Sequence, residues 1–166
     1  LNEKMMPAAM IKIADIIGES GDDDAKKRAG DRLIAIEKEM EKSTFVKWLA
    51  EQIRASLEAA GEPADEQRVS ALAVFNSENY INNGALPAMR HLGDQAEVAA
   101  RLLSIADTKP GPNDSKSWVE RLSARRATAL KALEGHVTRQ HLNRLLSIAL
   151  DSQSPIEVRD YAFDRV

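Results

Sequence analysis

His91, His136 and His141 are the only imidazoles in this 166-residue sequence. A helical zinc site wants two histidines four residues apart, with a further His or acid. His136 and His141 are five apart and bridge a predicted turn around Gly135 and Thr138. Surface or capping roles are expected for them, and no metal site is assigned. Asp22, Asp23 and Asp24 directly follow Gly21. A calcium loop alternates its oxygen ligands along the chain and closes on a Glu. Three consecutive aspartates suit a helix N-terminus instead, where the helix dipole favours negative charge. Glu37, Glu39 and Glu41 offer carboxylates for acid–base work, but Lys38 and Lys42 alternate with them. That is the pattern of a solvated helix face with local ion pairs. The sequence has no cysteine, which removes disulfides, thiolate nucleophiles and Cys-ligated zinc. No Gly-x-Gly-x-x-Gly, P-loop or Gly-x-Ser-x-Gly string is present, and the eight glycines stand singly. Phosphate cradles and nucleophile elbows therefore have no support. The expectation is a non-enzymatic protein with no cofactor and no metal.

Two further groups suit recognition. Asn76, Asn79, Asn82 and Asn83 cluster around Tyr80 and Ile81. Amides and a phenol can bond the backbone of an extended peptide, and asparagines equally serve as a ladder of turn caps. The segment from Asn76 to Gly84 is expected to be a connection between helices. The second group is basic. Residues 109–144 hold 8 basic and 3 acidic side chains, whereas residues 1–66 hold 10 and 15, so the net charge of −3 conceals a polar asymmetry. Arg121, Arg125 and Arg139 stand out in the basic stretch as contacts for an acidic protein or for phosphates. The plainer reading is pairing with acidic segments of the same chain. No aromatic residue follows Trp118 within that stretch, which disfavours base stacking.

These side chains need a scaffold, and the periodicity says it is helical. Hydrophobic residues make up 43% and aromatics only 4%, so a core of Leu, Ile, Val, Met and Ala is expected. About nine helices follow from apolar spacings of three and four. Pro7 opens the first, and Gly18 and Gly21 end it. Ala25, Ala29, Leu33, Ile36 and Met40 form the inner face of the second. Ser43 is expected to cap the third, with Phe45, Leu49, Ile53 and Leu57 inward and Gly61 closing it. Asp65 caps a fourth bearing Val69, Leu72 and Phe75. Leu86, Met89 and Leu92 follow, then Val98, Leu102 and Ile105 behind a capping pair of Asp94 and Glu97. Two prolines and a glycine make Asp107 to Ser115 the clearest loop. Trp118, Leu122, Ala129 and Leu133 mark the next helix. Thr138 caps one with Leu142, Leu145, Leu146 and Ala149, and Pro155 opens the last, with Val158, Ala162, Phe163 and Val166. No stretch approaches the roughly 20 apolar residues of a membrane span.

The sequence also repeats itself. Arg-Leu-Leu-Ser-Ile-Ala occurs at 101–106 and again at 144–149, an offset of 43. Arg-x-x-Ala-(Leu/Phe)-x-x-apolar begins at Arg68, Arg126 and Arg159. Such spacings belong to helical repeat arrays. From Leu142 to Val166 the chain reads Leu-x-x-Leu-Leu, then Asp151, a short loop, and Val158-Arg159-x-x-Ala162. This segment resembles the HEAT repeat family, more weakly also over 86–133. The resemblance implies a right-handed α-solenoid of stacked helical hairpins, HEAT/armadillo-like, over a single domain 1–166, with degenerate helix pairs in 1–61 and repeats in 65–166. An irregular helical bundle is the alternative. The small Ala admits the partner helix closely, the neighbouring Leu or Phe fills the seam, and the Arg reaches a carboxylate or a preceding helix C-terminus.

The functional expectation is a scaffold that docks a partner protein, or further repeats of the same chain, with Asn76, Asn79, Tyr80, Asn82, Asn83, Arg121, Arg125 and Arg139 as contacts. Nucleic-acid binding through 121–144 is the alternative, because some HEAT-like DNA-repair glycosylases use a basic concave face. A regulatory region of a larger enzyme is the third. The chain starts on Leu1, and 158–166 reads as a helix cut in mid-pattern, so a piece of a longer or processed chain is expected. The compartment stays open, cytoplasm by default, with the cell envelope or periplasm also compatible.

Overall fold

The computed structural model describes residues 1–166. Every regular element is helical: α1 (Pro7–Ser20), α2 (Asp23–Met40), α3 (Ser43–Ala59), α4 (Glu66–Tyr80), α5 (Leu86–Arg90), α6 (Ala96–Ala106), α7 (Lys116–Ala132), α8 (Leu142–Leu150) and α9 (Ile156–Phe163). No helix is long and apolar enough to cross a membrane. Several boundaries follow from local chemistry. Asp22 caps α2 by accepting from the Ala25 N–H at 2.7 Å. Asp65 accepts from the Arg68 N–H, and Ser115 from that of Trp118. Thr138 and His141 form a reciprocal capping box on a single 3₁₀ turn that leads into α8. Gly61 and Gly135 end their segments in the left-handed region, at φ 70° and 83°. The loop between α6 and α7 is the predicted Pro/Gly segment.

Three boundaries differ from the sequence reading. Ser43 is the first residue of α3 rather than its cap, a place held by Lys42, which makes no side-chain cap bond. Asp94 and Glu97 form no capping box, because the N-cap of α6 is Gln95. Gly18 lies inside α1, where it lets the helix approach the His91 carbonyl.

The larger correction is the asparagine segment. Asn76 to Gly84 is not a connection. It is the end of α4 continued by a π-helical turn, Ile81–Ala85, directly into α5. The cause lies in Pro87 and Gly84. Pro87 has no N–H to send to the Asn83 carbonyl, so the α ladder is broken there. The Leu86 N–H reaches the Ile81 carbonyl instead, which widens the turn. Ile81, Gly84 and Ala85 are buried, and Gly84 abuts Pro7 so closely that an added Cβ would stand 3.2 Å from the Pro7 Cβ. Helix continuation plus burial outweighs the turn preference of asparagine.

The core runs unbroken from Met10 to Ala162. Leu33, Ile36 and Met40 of α2 meet Val98, Leu102 and Ile105 of α6 and the α5 residues Leu86 and Met89 within it. α3 pairs with α4, α6 with α7, α8 with α9, and α7 lies beside α9. Four residues assigned to the core are outside it: Phe75 is 70% exposed, Phe163 68%, Val166 52% and Leu146 37%. The seam beside the repeated Ala is thus filled at Leu130 but not at Phe163. The repeated arginines fare better. Arg126 Nε donates to the Ala106 carbonyl at the end of α6 (2.7 Å), and Arg159 Nε to the Ala149 carbonyl near the end of α8 (3.1 Å). Arg68 stays local, on the Pro63 carbonyl and Glu62.

Candidate functional site: a groove between α4 and α7

Helix geometry aligns α4 and its π continuation beside α7, and a groove of about 370 Å³ opens between them. Phe75, Asn79, Asn82 and Asn83 form one wall, and Glu120, Arg121 and Ala124 the other. The Asn83 amide donates to Asn79 Oδ1 at 2.5 Å, which orients the pair. Asn82 Oδ1 is buried and has no hydrogen-bond partner within the protein, whereas most buried polar atoms are satisfied. Phe75 places an exposed ring among these amides. The groove therefore offers an apolar contact, amide donors and acceptors, two carboxylates (Glu78 and Glu120) and one cation, Arg121.

Four of the eight residues expected at a partner site share this groove: Asn79, Asn82, Asn83 and Arg121. The others lie elsewhere. Asn76 bonds the Leu72 carbonyl of its own helix. Tyr80 is half-buried and meets Phe45 edge-on at 5.6 Å, against the core. Arg139 sits apart, on the exposed 3₁₀ turn beside Thr138 and Gln140. Arg125 is buried and faces inward, donating to Glu41 and, at 2.8 Å, to Glu78.

Arg125 belongs to a charged cleft of about 470 Å³ behind the groove. Trp118 roofs it, with the Arg121 and Arg125 guanidinium carbons 5.6 and 5.7 Å from the ring centre. Arg121 Nε approaches Glu78 Oε1 at 3.7 Å. Deeper in, Arg101 forks onto Glu37. Burial pushes the Glu37 carboxyl up, against the pull of Arg101. Glu37, Glu41 and Glu78 face Arg101, Arg121 and Arg125, so the charges balance. The cleft ties α2, α4, α6 and α7 together and holds no surplus cation for an anionic ligand.

Glu37 and Glu41 do not lie on a solvated, locally paired face as their spacing predicts, for both pair with arginines of other helices. Only Glu39 keeps that role, on Lys42 at 2.6 Å. Glu37 is fully buried. The spacing Leu33, Ile36, Glu37, Met40 carries the missed signal, since it places Glu37 on the inner stripe of α2. The histidines have structural partners: His91 Nδ1 lies 3.2 Å from Asp15, His141 accepts from the Thr138 N–H, and the His136 ring packs on Gly93.

No protein-family model matches this sequence, and no curated protein or solved structure is significantly similar to it.

Proposed function

We propose that the protein is a non-enzymatic, HEAT-like helical scaffold that docks an extended segment of a partner protein in the α4–α7 groove. The observation that carries this reading is the exposed Phe75 ring set beside Asn79, Asn82 and Asn83. A peptide backbone alternates donors and acceptors, which amide side chains match, and an apolar side chain of the peptide would cover Phe75. The repeat reading draws support from Arg126 and Arg159, equivalent in the sequence repeat, each reaching the C-terminal end of the preceding helix. Occupation of Arg125 by two glutamates weighs against a nucleic-acid grip through 121–144.

The test is selection of displayed peptides on the full chain, followed by affinity measurement on Phe75→Ala and Asn82→Ala variants. The expected result is a family of extended peptides whose binding falls about tenfold in each variant. A selection that yields no binder, or binders indifferent to both substitutions, overturns the reading.

A further inference from the structure

The last helical pair carries a second surface, remote in sequence from the groove. Leu150 is 76% exposed and Ile156 73%, and Leu146 and Phe163 are exposed with them. Helical geometry fixes which way they point. Arg144 reaches back to Asp107 at the end of α6, and Leu146 lies on the opposite side of α8 from it, at 100° per residue. Lys131 of α7 covers the Tyr161 ring at 4.5 Å, and Arg165 Nε donates to the Leu130 carbonyl of α7. Ile156 and Phe163 lie on the side of α9 away from those two contacts. Both apolar stripes therefore face away from the α6–α7 pair, and together they make an uncovered end face.

Charge selects what fits there. Asp160 borders the Ile156–Phe163 stripe, with Asp164 and Glu157 beyond it on the same side, and all three are exposed. None of them forms a salt bridge, because the nearest cations are engaged elsewhere: Arg159 and Arg165 donate to backbone carbonyls and Lys131 lies over the Tyr161 ring. An apolar stripe with an unpaired acidic border matches an amphipathic helix whose own border is Lys or Arg. A second copy of this end face would oppose acid to acid.

We infer that the α8–α9 end face docks a basic amphipathic helix of a partner protein, its apolar side on Phe163 and its cations on Asp160 and Asp164. The probe is a labelled synthetic helix of Leu and Lys, roughly 18 residues long so that it is helical alone, titrated with the full chain beside a Leu/Glu counterpart. The Leu/Lys helix is expected to bind, more weakly as salt rises, and the Leu/Glu helix not to. Phe163→Ser and the pair Asp160→Asn with Asp164→Asn should each weaken binding about tenfold, and Phe75→Ala should leave it unchanged. All are exposed positions, so the fold is preserved, which circular dichroism checks. Equal affinity for the two helices, or indifference to both end-face variants, overturns the inference. Self-association in sedimentation velocity that Phe163→Ser abolishes also overturns it, by assigning the face to a second copy.

Discussion

Arg101 holds Glu37 by two parallel N–H···O bonds, of 2.8 and 3.0 Å, although 64 residues separate them in sequence. The pair joins α6 to α2 inside the core, where Glu37 is fully buried. Arg101→Met leaves that carboxylate without its cation and is expected to cost about 3–5 kcal/mol at neutral pH. The sign with pH follows from burial. Burial pushes the Glu37 carboxyl up, and loss of Arg101 pushes it further. A group that binds its proton more tightly when folded favours the folded state at low pH and opposes it as pH rises. The deficit should thus shrink toward acid, and Glu37→Gln combined with Arg101→Met should recover most of it. Urea unfolding of the single and double variants at two pH values measures both. A deficit that is the same at both pH values contradicts the account.

Much of this fold is legible in the sequence because helix spacing and caps are local. Asp22, Asp65 and the 107–115 loop fall where chemistry within a few residues places them. What was not legible is tertiary. Glu37 opens a run in which glutamates alternate with Lys38 and Lys42, and only the register Leu33–Ile36–Met40 hints that it turns inward. The asparagine segment reads as a connection until Pro87 and the burial of Ile81, Gly84 and Ala85 are taken together. Phe75 and Phe163 fit an apolar periodicity, yet periodicity cannot tell a buried ring from one on an uncovered face. The groove itself depends on α4 and α7, whose residues are some 45 positions apart in sequence.

Asp151 anchors the turn between α8 and α9. Its carboxyl is held down at about 2, first by the hydrogen bond from Lys109, then by those from the Gln153 N–H and the Ser154 hydroxyl. A carboxyl lowered by folding contributes stability above its ordinary titration range, and that contribution is lost as pH falls toward 2. Carbon-detected NMR titration of Asp151 should show a midpoint well below that of an ordinary aspartate. Lys109→Met should move the midpoint upward, toward the ordinary value. An unchanged midpoint in that variant assigns the shift to the turn alone.

Gly18 reverses a general rule. Alanine in a helix interior is ordinarily favoured over glycine by about 0.5–1 kcal/mol. At Gly18, an added Cβ would stand 2.4 Å from the His91 carbonyl oxygen, a backbone atom that cannot rotate away. Gly18→Ala is therefore expected to destabilise by about 1–3 kcal/mol. At Gly111 the nearest atom to an added Cβ is an Asp114 oxygen at 3.5 Å, so Gly111→Ala should be close to neutral. Thermal unfolding of the two variants compares them, and a stabilised Gly18→Ala would mean that α1 does not press on the His91 carbonyl.

Arg126 is the buried counterpart of Arg159 in the sequence repeat, and burial should separate their energetic weight. Arg126 gives Nε to the Ala106 carbonyl and Nη2 to the Ser154 hydroxyl (2.8 Å), so one guanidinium closes the end of α6 and fastens the α8–α9 turn. Burial pulls its proton affinity down, while Asp151 and Asp107 pull the other way. Arg126→Met leaves a buried carbonyl and a buried hydroxyl with one partner fewer each, and a loss of about 2–4 kcal/mol is expected. Arg126→Lys should recover only part of this, because a single ammonium cannot reproduce the two divergent N–H donors. Arg159 is half-buried and makes one bond, to the Ala149 carbonyl, so Arg159→Met should cost about 1 kcal/mol. Urea unfolding ranks the three variants. Amide exchange should also quicken at Ser154 in Arg126→Met, because that variant unfastens the turn from α7. If Arg159→Met proves as costly as Arg126→Met, the two arginines are equivalent caps and the link to Ser154 adds nothing.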